Sequence, residues 1–161
     1  MKTAVITYSL DGNCAFTAEI IKSQLNADLI RIQTKDDKKR GKIARFFWAG
    51  SMMFSKNSPP VKEYTFDPAS YDLIVIGAPV WAGSPASPVK TFLSQTPIAG
   101  KKTAIFVCHA GGMRDALNKL KSLLNGNDII SVSDFMNPAK GGEESKQKII
   151  TWVNTFKGDR T

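Results

Sequence analysis

At 161 residues with 42% hydrophobic side chains, the chain is long enough to bury a sizeable core and is read as a single domain over residues 1–161. No apolar run approaches the about 18 residues that a membrane span needs, which excludes a transmembrane segment from this stretch. The net charge of +8 lies beside no helix-turn-helix, zinc or RNP-type pattern, so it is read as a solvated surface for anionic ligands or acidic partner proteins, not for nucleic acid.

In chain order, strand and helix signals alternate. Ala4 to Tyr8 reads as a first strand, and the opening Met1 to Leu10, with one Lys and no cleavage-like site, is not a signal peptide. Together with only two cysteines, Cys14 and Cys108, this points to a reduced, cytoplasmic setting and away from a disulfide framework. Ala15, Phe16, Ala18, Ile20, Ile21 and Leu25 form a broad apolar face on a helix from about Cys14 to Leu25. Asp28 to Gln33 is a second strand, followed by a basic run from Lys35 to Lys42. A second helix is expected where Ile43, Phe46, Phe47, Gly50, Met53 and Phe54 fall at helical spacing, closed by Asn57, Ser58, Pro59 and Pro60. Phe46, Phe47 and Trp48 are consecutive and cannot share one helical face, so one of them, with Met52 or Met53, is left for a dimer contact or a ligand crevice.

The centre of the chain is Tyr71 to Pro88. Leu73, Ile74, Val75 and Ile76 are a continuous apolar run suited to a strand covered on both faces. The segment Gly77 to Ser84 is expected to leave the strand as a rigid loop, bent at Gly77 and Gly83, stiffened by Pro79 and Pro85 and tipped by Trp81. Ser87 and Pro88 then cap and begin a helix with Val89, Phe92 and Leu93 on one face. Thr103 to Val107 is the fourth strand, and Ala116, Leu117, Leu120, Leu123 and Leu124 mark a helix stopped at Gly126. Ile129 to Val132 is the fifth strand, and Ile149, Ile150, Val153 and Phe156 line a final helix ended by Gly158. Such alternation implies an α/β fold with a parallel sheet and helices on both faces.

Three loops that follow strands are rich in Gly and small polar residues: Ser9 to Cys14, Ala78 to Ser87, and Cys108 to Met113. They converge only if strands one, three and four are neighbours. The first, Ser9-Leu10-Asp11-Gly12-Asn13-Cys14, resembles the Thr/Ser-x-Thr-Gly-x-Thr phosphate loop of the flavodoxin family, and the resemblance covers the whole chain. It implies a three-layer flavodoxin-like fold, a five-stranded parallel sheet in the order 2-1-3-4-5, and FMN at the carboxyl ends of strands one, three and four. The physics of the loop agrees, because a glycine turn at a helix N-terminus aims backbone amides at one spot, with Ser9 and Asn13 adding side-chain donors. Two residues depart from the family pattern: Asp11 sets a carboxylate beside the phosphate, and Cys14 replaces the last Thr.

In the second loop, Pro79-Val80-Trp81-Ala82-Gly83-Ser84 resembles the segment along the isoalloxazine ring, with Trp81 against the ring and Gly83 near flavin N5. The resemblance puts Cys108, His109, Gly111 and Gly112 beside the pyrimidine end. The second aromatic that many flavodoxins carry there is missing, and only His109 stands in its place. The implied strand order also sets Cys14 and Cys108 on strands two places apart, roughly 10 Å, too far for a disulfide.

The resemblance implies an FMN-binding electron-transfer protein serving redox partner proteins, as a monomer or homodimer. Compact length and the lack of a recognisable nicotinamide site favour this carrier; the alternative is an FMN-dependent NAD(P)H oxidoreductase acting on a quinone or flavin, toward which the basic charge and the missing second aromatic pull. No catalytic side chain and no metal are expected in either case, since the cofactor carries the chemistry. A remote third reading takes Cys108 and Arg114 as the Cys-x5-Arg pair of a cysteine-dependent phosphatase, although Asp115 stands where those enzymes have Ser or Thr.

Overall fold

The computed structural model describes residues 1–35 and 60–158. Its elements in chain order are β1 (Thr3–Thr7), α1 (Asn13–Leu25), β2 (Asp28–Arg31), a 3-10 turn (Pro68–Ser70), β3 (Leu73–Trp81), β4 (Ser84–Pro85), α2 (Ser87–Gln95), β5 (Lys102–His109), α3 (Ala116–Leu123), β6 (Asp128–Met136) and α4 (Gly142–Lys157). The helix expected over 43–54, and with it Phe46, Phe47, Trp48, Met52 and Met53, lies outside the described residues. Among the described residues no helix is long and apolar enough to cross a membrane.

Five strands pair in parallel in the order β2-β1-β3-β5-β6, and β4 folds back antiparallel on the end of β3. With β4 left out, the path is the expected 2-1-3-4-5. Side chains alternate across this sheet and fill two cores. Ile6, Ile74, Ile76, Ile105 and Val107 face α2 and α3, which contribute Val89, Phe92, Leu93, Ala116 and Leu120. Val5, Leu73, Val75, Ala104, Phe106 and Cys108 face α1 and α4, which contribute Cys14, Ala18, Ile21, Leu25, Ile149, Trp152, Val153 and Phe156. The sheet is therefore covered on both faces, as an all-parallel sheet requires.

The expected break at Gly77 does not occur. β3 continues through Gly77, Ala78, Pro79 and Val80 to Trp81, with Gly77 opposite Phe106 and Pro79 opposite Cys108 on β5. Gly77 is there for space, not for a turn: a Cβ added to it would meet the Phe106 ring at 2.0 Å. The last strand is also longer than its periodic run, reaching Met136, and α4 begins seven residues before its first fully buried apolar position at Ile149, with Glu143 and Glu144 in its first turn. Acidic residues there suit the positive end of the helix dipole. Ser87 lies inside α2 and Ala86 is its N-cap, one residue from the expected boundary.

Gly77→Ala is expected to lower stability by about 1–3 kcal/mol, because the new methyl overpacks the sheet against Phe106. Urea unfolding checks this, and Phe106→Leu in the same background should restore part of the loss. An unchanged midpoint for Gly77→Ala alone would refute the packing role.

Candidate functional site

Because β1, β3 and β5 are adjacent and parallel, the segments after Thr7, at the end of β3 and after His109 emerge side by side along one sheet edge. The first is the turn from Tyr8 to Gly12. Gly12 is the N-cap of α1 with φ +94, a left-handed backbone that favours glycine. Ser9 Oγ accepts the Gly12 N–H at 3.2 Å. Asp11, exposed to solvent, accepts the Asn13 backbone N–H at 3.0 Å through Oδ1 and the Asn13 side-chain amide at 2.8 Å through Oδ2. The carboxylate is thus tied to Asn13 at the start of the helix.

The Asn13 side chain is engaged within the protein, the amide donating one hydrogen bond to Asp11 and Oδ1 accepting the Ala139 N–H at 3.1 Å. It ties the first loop to the segment after β6. The donors that do remain are backbone groups: among the described residues the N–H groups of Leu10, Asp11, Cys14 and Ala15 have no partner. Open amides at the positive end of a 13-residue helix suit a phosphate.

The second segment is a hairpin instead of a loop. Trp81 pairs with Ser84 and Val80 with Pro85 across a turn whose two central residues, Ala82 at φ +45 and Gly83 at φ +73, are both left-handed. Two such residues define a type I′ turn, whose twist matches that of the strands it joins. Trp81, half-buried, meets the buried Tyr8 ring edge to face at 5.8 Å and 88°. The Gly83 carbonyl accepts a hydrogen bond from Lys119 Nζ on α3 at 3.1 Å. A Cβ on Gly83 would lie 3.1 Å from Arg114 Cδ and 3.2 Å from its Cβ, so the Arg114 stem covers this glycine.

The third segment is held from β6. His109 Nδ1 accepts the Gly112 N–H at 3.0 Å, which puts the ring proton on Nε2, where it is donated to Asp134 Oδ2 at 2.9 Å. The Asn137 N–H donates to the His109 carbonyl at 2.8 Å. With both nitrogens engaged, the His109 side chain is only 9% exposed and does not replace the missing aromatic. Ala110, Gly111 and Gly112 are exposed, so that side of the sheet edge is open.

Residues 1–142 match the NADPH-dependent FMN reductase family. The chain belongs to that family. No curated protein matches it in sequence. Among solved structures it is similar to a flavoprotein in complex with FMN from Lactobacillus acidophilus NCFM, at 25% identity over 94% of this chain and 97% of that one, TM-score 0.72. It is also similar to an NADPH-quinone reductase from P. pentosaceus, at 9% identity over 100% of both chains, TM-score 0.61. Oxidised Flavodoxin 1 from Bacillus cereus matches at 15% identity over 97% of both, TM-score 0.58. The last two show the fold alone. The flavodoxin resemblance is thus right about the architecture, while the family is that of the FMN reductases, and FMN is the cofactor.

In this member of the reductase family the two cysteines are neighbours, contrary to the expected separation of about 10 Å. Cys14 belongs to α1, not to the end of β1, and the buried face of that helix shares one apolar core with the end of β5, which sets its thiol beside that of Cys108. Thr17 Oγ1 lies 3.6 Å from Cys108 Sγ in the same buried cluster. Both thiols are free, and Cys14 is fully buried, out of the loop mouth. Burial first, then the Cys108 hydrogen bond, pushes the Cys14 thiol well above its ordinary range. The same placement removes the phosphatase pairing: Cys108 faces the α1 and α4 core, whereas the Arg114 stem covers Gly83 at the mouth.

Tyr8, Lys119, Asp134 and Asn137 shape these segments and were not legible as site residues. Each acts across strands. Only Tyr8, next to the first loop, carried a local signal.

Because Cys14 is held protonated in the folded chain while an unfolded thiol ionises near about pH 8.5, stability is expected to be fully present below that pH and to fall as pH rises above it. Melting curves from pH 7 to 10 check this. Cys14→Ala should flatten the alkaline decline, whatever its offset at pH 7, and an unaltered slope would refute the assignment.

Proposed function

We propose that the protein is an FMN-dependent NADPH oxidoreductase that passes electrons to a small acceptor, a quinone or a free flavin. The observation that carries this reading is the exposed stretch Ala110 to Gly112, where His109 is turned into β6 and, among the described residues, no aromatic covers the segment. An uncovered face admits a nicotinamide or quinone ring. Family membership supports the same reading.

FMN supplies hydride acceptance and return when bound. The chain's part is to hold and orient it. The N–H groups of Leu10, Asp11, Cys14 and Ala15, with Ser9 and Gly12 shaping the turn, would take the phosphate. Pro79 to Ser84 and the backbone of Cys108 to Gly112 would flank the ring, with Trp81 fixed by Tyr8 and the Gly83 carbonyl fixed by Lys119. A turn so held restricts the mouth to one geometry before the substrate arrives, which favours positioning over rearrangement. A reduced, cytoplasmic setting and a single domain fit two free, buried cysteines and one sheet.

The FMN-loaded protein is expected to consume NADPH at about 1 s⁻¹ or faster when given a soluble quinone or free FMN. No consumption with any small acceptor, joined to electron transfer with an acidic redox protein, would favour the carrier reading instead. Asp11→Asn should bind FMN about threefold to tenfold more tightly, since it keeps a capping oxygen and removes a charge of about 1 kcal/mol next to the phosphate. Fluorescence titration of the apoprotein checks this. Unchanged or weaker binding would mean that the phosphate lies elsewhere.

A further inference from the structure

The placement of Arg114 is one that stability does not explain. It has φ +45, a left-handed backbone that disfavours a non-glycine residue. It is exposed, and among the described residues its guanidinium has no hydrogen-bond or ion-pair partner. Its alkyl stem is nonetheless fixed, lying over Gly83 on the hairpin turn. A second cation, Lys119, is anchored at the same turn through its bond to the Gly83 carbonyl. The neighbouring acids are turned away. Asp115 Oδ1 accepts from Asn118 Nδ2 at 2.9 Å, and Asp134 is bound to His109.

We infer that Arg114, supported by Lys119, recognises the 2′-phosphate of NADPH and so selects it over NADH. The inference rests on the reductase reading of the preceding subsection and adds the residue that chooses the nucleotide. Position argues for it. The cations sit at the edge of the second and third segments, beside the open Ala110 to Gly112 side, and β3 and its hairpin separate them from the amides of the first loop. Chemistry argues for it as well. A guanidinium fork binds a terminal phosphate through two parallel hydrogen bonds, and the 2′-phosphate is the one terminal dianion that NADH lacks. The pre-set stem keeps the fork at the rim, so less side-chain freedom is lost on binding.

The test uses the FMN-loaded protein, Arg114→Gln, whose side chain still covers Gly83, and Arg114→Lys as a charge-retaining second variant. Calorimetry with adenosine 2′,5′-bisphosphate against 5′-AMP reads the site without any reaction. The wild type is expected to prefer the bisphosphate at least tenfold, Arg114→Gln to show less than a twofold preference, and Arg114→Lys to fall between. In turnover, Arg114→Gln should raise the KM for NADPH about tenfold and that for NADH less than twofold. No preference in the wild type, or equal losses for both nucleotides, would overturn the assignment. If the protein oxidises neither nucleotide, the reductase reading fails, and the calorimetry still decides whether Arg114 binds the phosphate. If NADPH is oxidised and Arg114→Gln is unaffected, this inference alone fails.

Discussion

The arrangement depends on β3 being hydrogen-bonded between β1 and β5, with Thr7 opposite Gly77 and Gly77 opposite Phe106. That pairing brings three sequence-distant segments to one edge. It also needs a residue without a side chain at 77, because the Phe106 ring occupies the space that any Cβ there would enter. Phe106 in turn packs against Phe135 and Trp152, so the packing beneath the edge continues from β3 through β5 and β6 into α4. A small fault at the centre therefore moves all three segments together.

Above that base each segment is held by a different partner. Asn13 ties the first to Ala139, Lys119 and Arg114 hold the hairpin, and His109 with Asp134 and Asn137 holds the third. Directional hydrogen bonds of this kind specify one geometry more sharply than apolar contact does. The consequence is an edge whose shape is set by the protein, with the open amides of the first loop as the places left for a ligand. The buried thiols belong to this support. Both lie in the apolar core on the α1 and α4 side, where burial holds the Cys14 thiol protonated and makes it a packing group.

Charge is distributed in the same economical way. Asp11 is used up as a helix cap, and Glu19 is engaged by Arg31 and Lys22, while Arg114 projects an unpaired positive group at the mouth. A chain of net charge +8 as a whole favours the approach of anions, phosphates among them.

The sequence by itself determined the alternation of strands and helices, the parallel sheet and the glycine turn at Gly12, because continuous apolar strands, helical periodicity and a left-handed turn are all local properties. It also singled out the three segments and FMN. It misread Gly77 as a bend and Cys14 as remote from Cys108, and it did not show that Asn13 is bound to Asp11 and Ala139 or His109 to Asp134 and Gly112. Each of these depends on what a residue meets from a distant part of the chain: the Phe106 ring, the Ala139 amide, the Asp134 carboxylate and the Cys108 thiol. The type I′ hairpin escaped because Ala82, which is rarely left-handed, is held there by the pairing of Trp81 with Ser84. Such contacts join residues 25 to 126 positions apart, and no local pattern encodes which of many distant partners the folded sheet will supply.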